Sequence, residues 1–102
     1  MTDHTTAVEG LELLRSELDD IDATLLRTLR LRLECCIRIA RYKAENDIAM
    51  MQPDRVGVVK DRAANYGREH GIDPAFLILL YGVIIDETCR VEDLEIANVT
   101  AH

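Results

Sequence analysis

Arg32 and Lys43 stand eleven residues apart beside a stripe that is otherwise apolar. On a helix, at about 100° and 1.5 Å per residue, that spacing leaves them about 20° apart around the axis and roughly 16 Å apart along it. Two long cationic side chains so placed can converge on one ligand between them. A buried charge without a counter-charge is costly, so the pair points to a pocket for an anion. The alternative is that each side chain snorkels to water or pairs with an acid on a neighbouring helix.

Other positions carry compatible chemistry. Arg55 adds a cation from a separate segment, and Thr88 and Glu92, four residues apart, share a helical face on which Thr88 falls in the stripe of Leu77, Leu80 and Ile84. Taken alone, Thr88 can bond back to the carbonyl of Ile84, and Glu92 can be a solvated charge in "RVEDLE". Together with the cations they are the makings of a site for a small polyanion. Arg15 differs: it precedes Arg32 by seventeen residues, about 25 Å and about 100° off the same face, so it cannot share that pocket within one chain. In an antiparallel or crossed dimer it can enter the partner's pocket; otherwise it is a surface arginine paired with Glu12 or Asp19.

Three helices must position these groups. Leu11, Leu14, Leu18, Ile21 and Leu25 recur in alternating steps of three and four, a seam that another helix covers, and Leu29, Leu33, Cys36 and Ala40 carry the stripe onward. Neither Pro nor Gly interrupts Leu11 to Asn46, which predicts one helix of about 35 residues and roughly 50 Å. A compact domain of this size is only roughly 35 Å across, so the helix overhangs its own fold, and a second copy of the chain is the simplest cover for the seam. "NDIAMMQPD" reads as a loop, with Pro53 in the first turn of a second helix that runs to about Glu69. Gly71 ends that helix; Asp73 as N-cap and Pro74 at the first helical position start a third, which runs to about Glu95. No alternation long enough for a strand occurs, so the expected fold is all-α, three helices per chain with a long first helix, dimeric.

Composition bounds the possibilities. A chain of 102 residues, 48% hydrophobic and 30% charged, suits a single globular domain over 1–102, with an ordered core from about 9 to 96 and loose ends at Met1 to Val8 and Asn98 to His102. A net charge of −7 and a pI near 4.8 argue against nucleic acid as a partner. "MTDHTTAVEG" lacks a basic start and apolar run, which predicts a cytoplasmic protein. "AFLILLYGVII" is too short to span a membrane and is expected to be a buried helix. Cys35, Cys36 and Cys89 contain no C-x-x-C pair and are expected to be reduced, small core residues; His4, His70 and His102 lack ligand spacing, so no metal is expected.

The segments "LRSELDDIDATLLRTLRLR", "IARYK", "PDRV", "HGID" and "LLYGVIIDE", in this order and spacing, resemble the all-helical chorismate mutase family over essentially the whole chain. That resemblance implies an intertwined homodimer with two identical sites, each completed by an arginine of the other subunit. It implies that Arg15 from the partner chain and Arg32 bind the two carboxylates of a small dicarboxylate substrate, that Thr88 helps bind the ring carboxylate, and that Arg55 lies over the substrate. Lys43 would donate to the ether oxygen of a Claisen rearrangement, which needs no covalent intermediate and no cofactor. Catalysis of that kind rests on holding a folded conformer and stabilising negative charge as it develops.

Two positions depart from the commoner family pattern. Glu92 stands where bacterial relatives often have Gln; a carboxyl donates a hydrogen bond only when protonated, so turnover should rise as pH falls if Glu92 faces the site. Val56 follows Arg55 where chorismate-specific relatives have a carboxylate for the ring 4-hydroxyl, and Gln52 replaces a second acid upstream. Polar recognition discriminates strongly, so this loss argues for another ring substituent. "MMQPDRVGVVKDRAANYG" and "CRVEDL" are most similar to mutases acting on 4-amino-4-deoxychorismate, which supply 4-aminophenylalanine precursors of actinomycete antibiotics; Gln52 would accept a hydrogen bond from the 4-amino group. Ordinary chorismate mutase, isochorismate pyruvate-lyase of the same fold family, and a non-catalytic helical dimerisation module are the alternatives, in that order.

Overall fold

The computed structural model describes residues 4–49 and 53–100, and every element among them is helical: α1 is His4–Glu45, α2 is Pro53–His70 and α3 is Pro74–Thr100. The described residues up to Glu34 form one compact unit and those from Cys35 onward form a second.

In the first unit, α1 begins earlier than its apolar pattern suggests. Residues 4–8, expected to be loose, are helical, because Val8 lies one turn before Leu11 and a single Gly10 costs a helix only about 1 kcal/mol. The seam residues Leu11, Leu14, Leu18, Ile21 and Leu25 are all exposed, Leu14 and Leu25 by 65% and 62%. Thr28, next along the seam, satisfies its hydroxyl by donating 2.8 Å to the carbonyl of Thr24.

In the second unit, close approach of one helical backbone to another is a matter of α2 and α3. The face of α2 that makes this possible carries small residues: Ala63, Ala64 and Gly67 are buried. A Cβ on Gly67 would lie 2.5 Å from the Ile72 carbonyl oxygen and 3.0 Å from Leu77 Cδ1, so only glycine fits where the chain folds back over the end of α2. Gly71, at φ 73°, then turns the backbone, and the Ile72 N–H donates 3.0 Å to the Gly67 carbonyl. Asp73 caps α3 as expected, its Oδ1 accepting the Ala75 N–H at 3.0 Å, with Pro74 in the first helical position.

Other expectations need correction. α3 continues to Thr100, through residues expected to be loose, because half-buried Ile96 extends its inward face by another turn. The "AFLILLYGVII" segment is not buried all round. Leu77, Tyr81, Ile84 and Ile85 turn inward, while Phe76, Leu79 and Val83 are exposed by 53%, 72% and 67%, since its packing covers only one side of so apolar a helix. Nor are the cysteines core residues: all three are reduced, with Cys35 and Cys89 exposed and Cys36 half-buried. Neighbours on a helix point about 100° apart, so Cys36 turns inward at the expense of Cys35, and Thr88 occupies the buried position beside Cys89. Partial burial, then the nearby charges of Glu92, Asp93 and Asp86, push the Cys89 thiol up and disfavour its reactive thiolate. Among the described residues no helix is long and apolar enough to cross a membrane.

Candidate active site

Lys43 stands on the last turn of α1, half-buried, three residues after Ala40, which is wholly buried. The helix ends around it: Asp47 adopts φ 55°, and the Ile48 N–H donates 2.9 Å to the Lys43 carbonyl while the Asn46 N–H donates 3.1 Å to that of Tyr42. This is the left-handed C-terminal closure usually given to glycine, which aspartate tolerates better than most residues. Lys43 also borders a shallow groove lined by Cys35, Arg38, Ile39, Tyr42 and Ile48.

Arg55 and Val56 lie in the first turn of α2, Arg55 exposed and Val56 half-buried. The partial positive charge of a helix N-terminus disfavours a cation there by about 0.3–1 kcal/mol, an effect that neighbouring Asp54 offsets. Gln52 lies outside the described residues.

On α3, Thr88 is buried, 7% exposed, and its hydroxyl donates 2.9 Å to the Ile84 carbonyl, the local bond that its sequence position allows. Glu92, one turn on, is half-buried. Lys43, Arg55, Val56, Thr88 and Glu92 thus belong to one compact unit, from three different helices.

Arg15 and Arg32 belong to the first unit. Arg32 is half-buried. Arg15 pairs with Glu12 at 2.9 Å, both side chains 62% exposed, and a pair so exposed holds its partners only weakly.

One contact joins residues that the sequence analysis did not pair. Arg41 Nε donates 2.5 Å to Glu95 Oε1, joining residues 54 apart, whereas the pairs Arg15–Glu12, Arg30–Glu34 and Arg90–Glu87 each lie within a single helix. The hydrogen bond and charge of Glu95 raise the pKa of the Arg41 guanidinium further. The only available hint was that Glu95 follows Thr88 by seven residues and so shares its face.

Residues 14–93 match the chorismate mutase type II family. The chain belongs to that family. The match runs from before Arg15 to beyond Glu92, so it takes in every described position singled out above as a site residue. The chain is therefore a chorismate mutase-type isomerase. It is 58% identical to a 4-amino-4-deoxychorismate mutase of Streptomyces venezuelae over 87% of this chain and 86% of that protein. It is 50% identical to a 4-amino-4-deoxychorismate mutase of Streptomyces pristinaespiralis over 95% of this chain and 75% of that one. An isochorismate pyruvate lyase of Pseudomonas aeruginosa is 30% identical over 74% of each chain. No solved structure matches the chain.

Proposed function

We propose that this chorismate mutase-type enzyme rearranges 4-amino-4-deoxychorismate to 4-amino-4-deoxyprephenate, on the way to 4-aminophenylalanine. The observation that carries the reading is the 58% identity, over most of both chains, to a relative named for that substrate. Val56 supports it: an apolar, half-buried side chain directly after Arg55 offers no carboxylate to a ring 4-hydroxyl. Gln52 supplies the amide that accepts from a 4-amino group.

In this reading the enzyme selects the folded conformer of a flexible dicarboxylate and stabilises the charge of its transition state. Arg32 and a partner chain's Arg15 hold the two carboxylates, Thr88 assists at the ring carboxylate, and Arg55 covers the substrate. Lys43 and Glu92 donate to the ether oxygen as the C–O bond breaks and negative charge gathers there. Every bond change is internal to the substrate, so the reaction calls for no cofactor.

The site is completed in an intertwined homodimer of single-domain chains. What supports this is the exposed seam of the first unit: burying one such leucine is worth about 1.5–3 kcal/mol, and a second copy of the chain offers the matching seam. Arg15, held by an exposed pair with Glu12, is released to the partner's site at little cost.

The test is conversion of 4-amino-4-deoxychorismate by the purified protein, with product identification by mass spectrometry and NMR. Formation of 4-amino-4-deoxyprephenate is the expected result. Release of pyruvate from isochorismate, with the amino substrate untouched, would replace the mutase reading by the lyase one.

A further inference from the structure

Arg41 and Lys43 flank the buried stripe of the last turns of α1. Lys43 lies about 60° to one side of Ala40 and Arg41 about 100° to the other. On α3, Glu95 follows Thr88 by seven residues, within about 20° of the same face and roughly 10 Å further along, and Glu92 lies between them on that face. The ion pair of Arg41 with Glu95 therefore joins the border of the face that carries Lys43 to the face that carries Thr88 and Glu92. Its carboxylate side is sheltered, with 17% of the Glu95 side chain exposed against 54% for Arg41. A partly buried carboxylate left without its partner is destabilised, so the two ends are not free to slide or roll past each other at no cost.

We propose that Arg41 and Glu95 are a positioning pair, a register lock that sets where Lys43 stands relative to Thr88 and Glu92. Neither residue touches substrate; both act through the placement of residues that do. The catalytic consequence rests on the mutase reading above. The mechanical one, that the pair holds the end of α1, does not. Lys43 is also the residue whose carbonyl closes α1, so slack introduced at Arg41 reaches it through less than one helical turn.

The test uses the full-length protein and four variants: Glu95→Gln, which keeps side-chain volume, Arg41→Glu, Glu95→Arg, and the exchanged double Arg41→Glu/Glu95→Arg. Two readouts are taken: steady-state kinetics on 4-amino-4-deoxychorismate, and backbone amide exchange over residues 40–48. Each single variant should lower kcat about tenfold or more while KM changes much less, since a displacement of the order of 1 Å in a reacting group can cost up to about 10²-fold. Each should also speed exchange at 40–48, and the exchanged double should recover most of both losses. A purely structural contribution would lower thermal stability without this split between kcat and KM. Unchanged kcat and exchange in Glu95→Gln would overturn the proposal, as would losses that the exchanged double leaves in place. If the wild type does not turn over the amino substrate, the mutase reading fails. The exchange data then decide the lock alone: faster exchange restored by the double supports it, and equal exchange in all variants overturns it.

Discussion

The backbone N–H of Ile48 donates 2.9 Å to the carbonyl of Lys43, so the lysine assigned to the chemistry is also the residue on which α1 closes. Its main chain is held by the turn at Asp47, and its side chain starts from the buried stripe that Ala40 leads into. In the proposed reaction only its side chain then remains to be ordered as negative charge develops, and a donor placed in advance is the most effective kind.

Removing that donor should be the most damaging single change. Lys43→Ala is expected to lower kcat by about 10²–10³, the usual cost of deleting one donor to a developing oxyanion. Circular dichroism and thermal unfolding should stay close to wild type. A kcat within a few-fold of wild type would take Lys43 out of the mechanism.

Glu92 supplies a second signature. As a donor to the ether oxygen it works only when protonated, so kcat is expected to rise as pH falls, and Glu92→Gln, which donates at every pH, should flatten the profile. The comparison is a kcat–pH profile of the two proteins on the same substrate. Identical profiles would remove Glu92 from the reaction.

Subunit mixing tests the assignment of Arg15 to the opposite chain's site. Arg15→Ala and Arg32→Ala should each be nearly inactive alone. Unfolded together and refolded, they should regain roughly a quarter of the wild-type sites, because each mixed dimer contains one site with both arginines intact. No recovery, with mixed dimers demonstrated by native mass spectrometry, would place both arginines in the same chain's site.

Gly67→Ala tests the fold where α2 turns back into α3. Alanine in place of glycine inside an exposed helix normally stabilises, as expected at Gly10, where an added Cβ has open space. At Gly67 the same Cβ meets the Ile72 carbonyl oxygen at 2.5 Å, so the substitution should cost about 1–3 kcal/mol. Urea denaturation of the two variants should move their midpoints in opposite directions.

Much of this architecture is legible in the sequence because its causes are local. Gly71, Asp73 and Pro74 each dictate the backbone around them, and the three helices fall between such signals. The leucine seam is legible too, since steps of three and four from Leu11 to Leu25 have few other meanings. What escaped depends on tertiary placement. Aspartate in the left-handed region at position 47 is a weaker signal than glycine, and the partner of Arg41 lies 54 residues away. The inward turn of one of two adjacent cysteines and the exposed side of α3 depend on which helix packs where. Of the site, residue types and faces were readable, whereas burial was not: Thr88 is buried while Arg55, assigned to the same ligand, is exposed.

Substrate preference is decided by kcat/KM for 4-amino-4-deoxychorismate, chorismate and isochorismate, measured side by side on the purified protein with every product identified. A clear preference for the amino substrate is expected, with 4-amino-4-deoxyprephenate as its product. Preference for chorismate would contradict it, because Val56 and Gln52 would then mark no change in ring recognition.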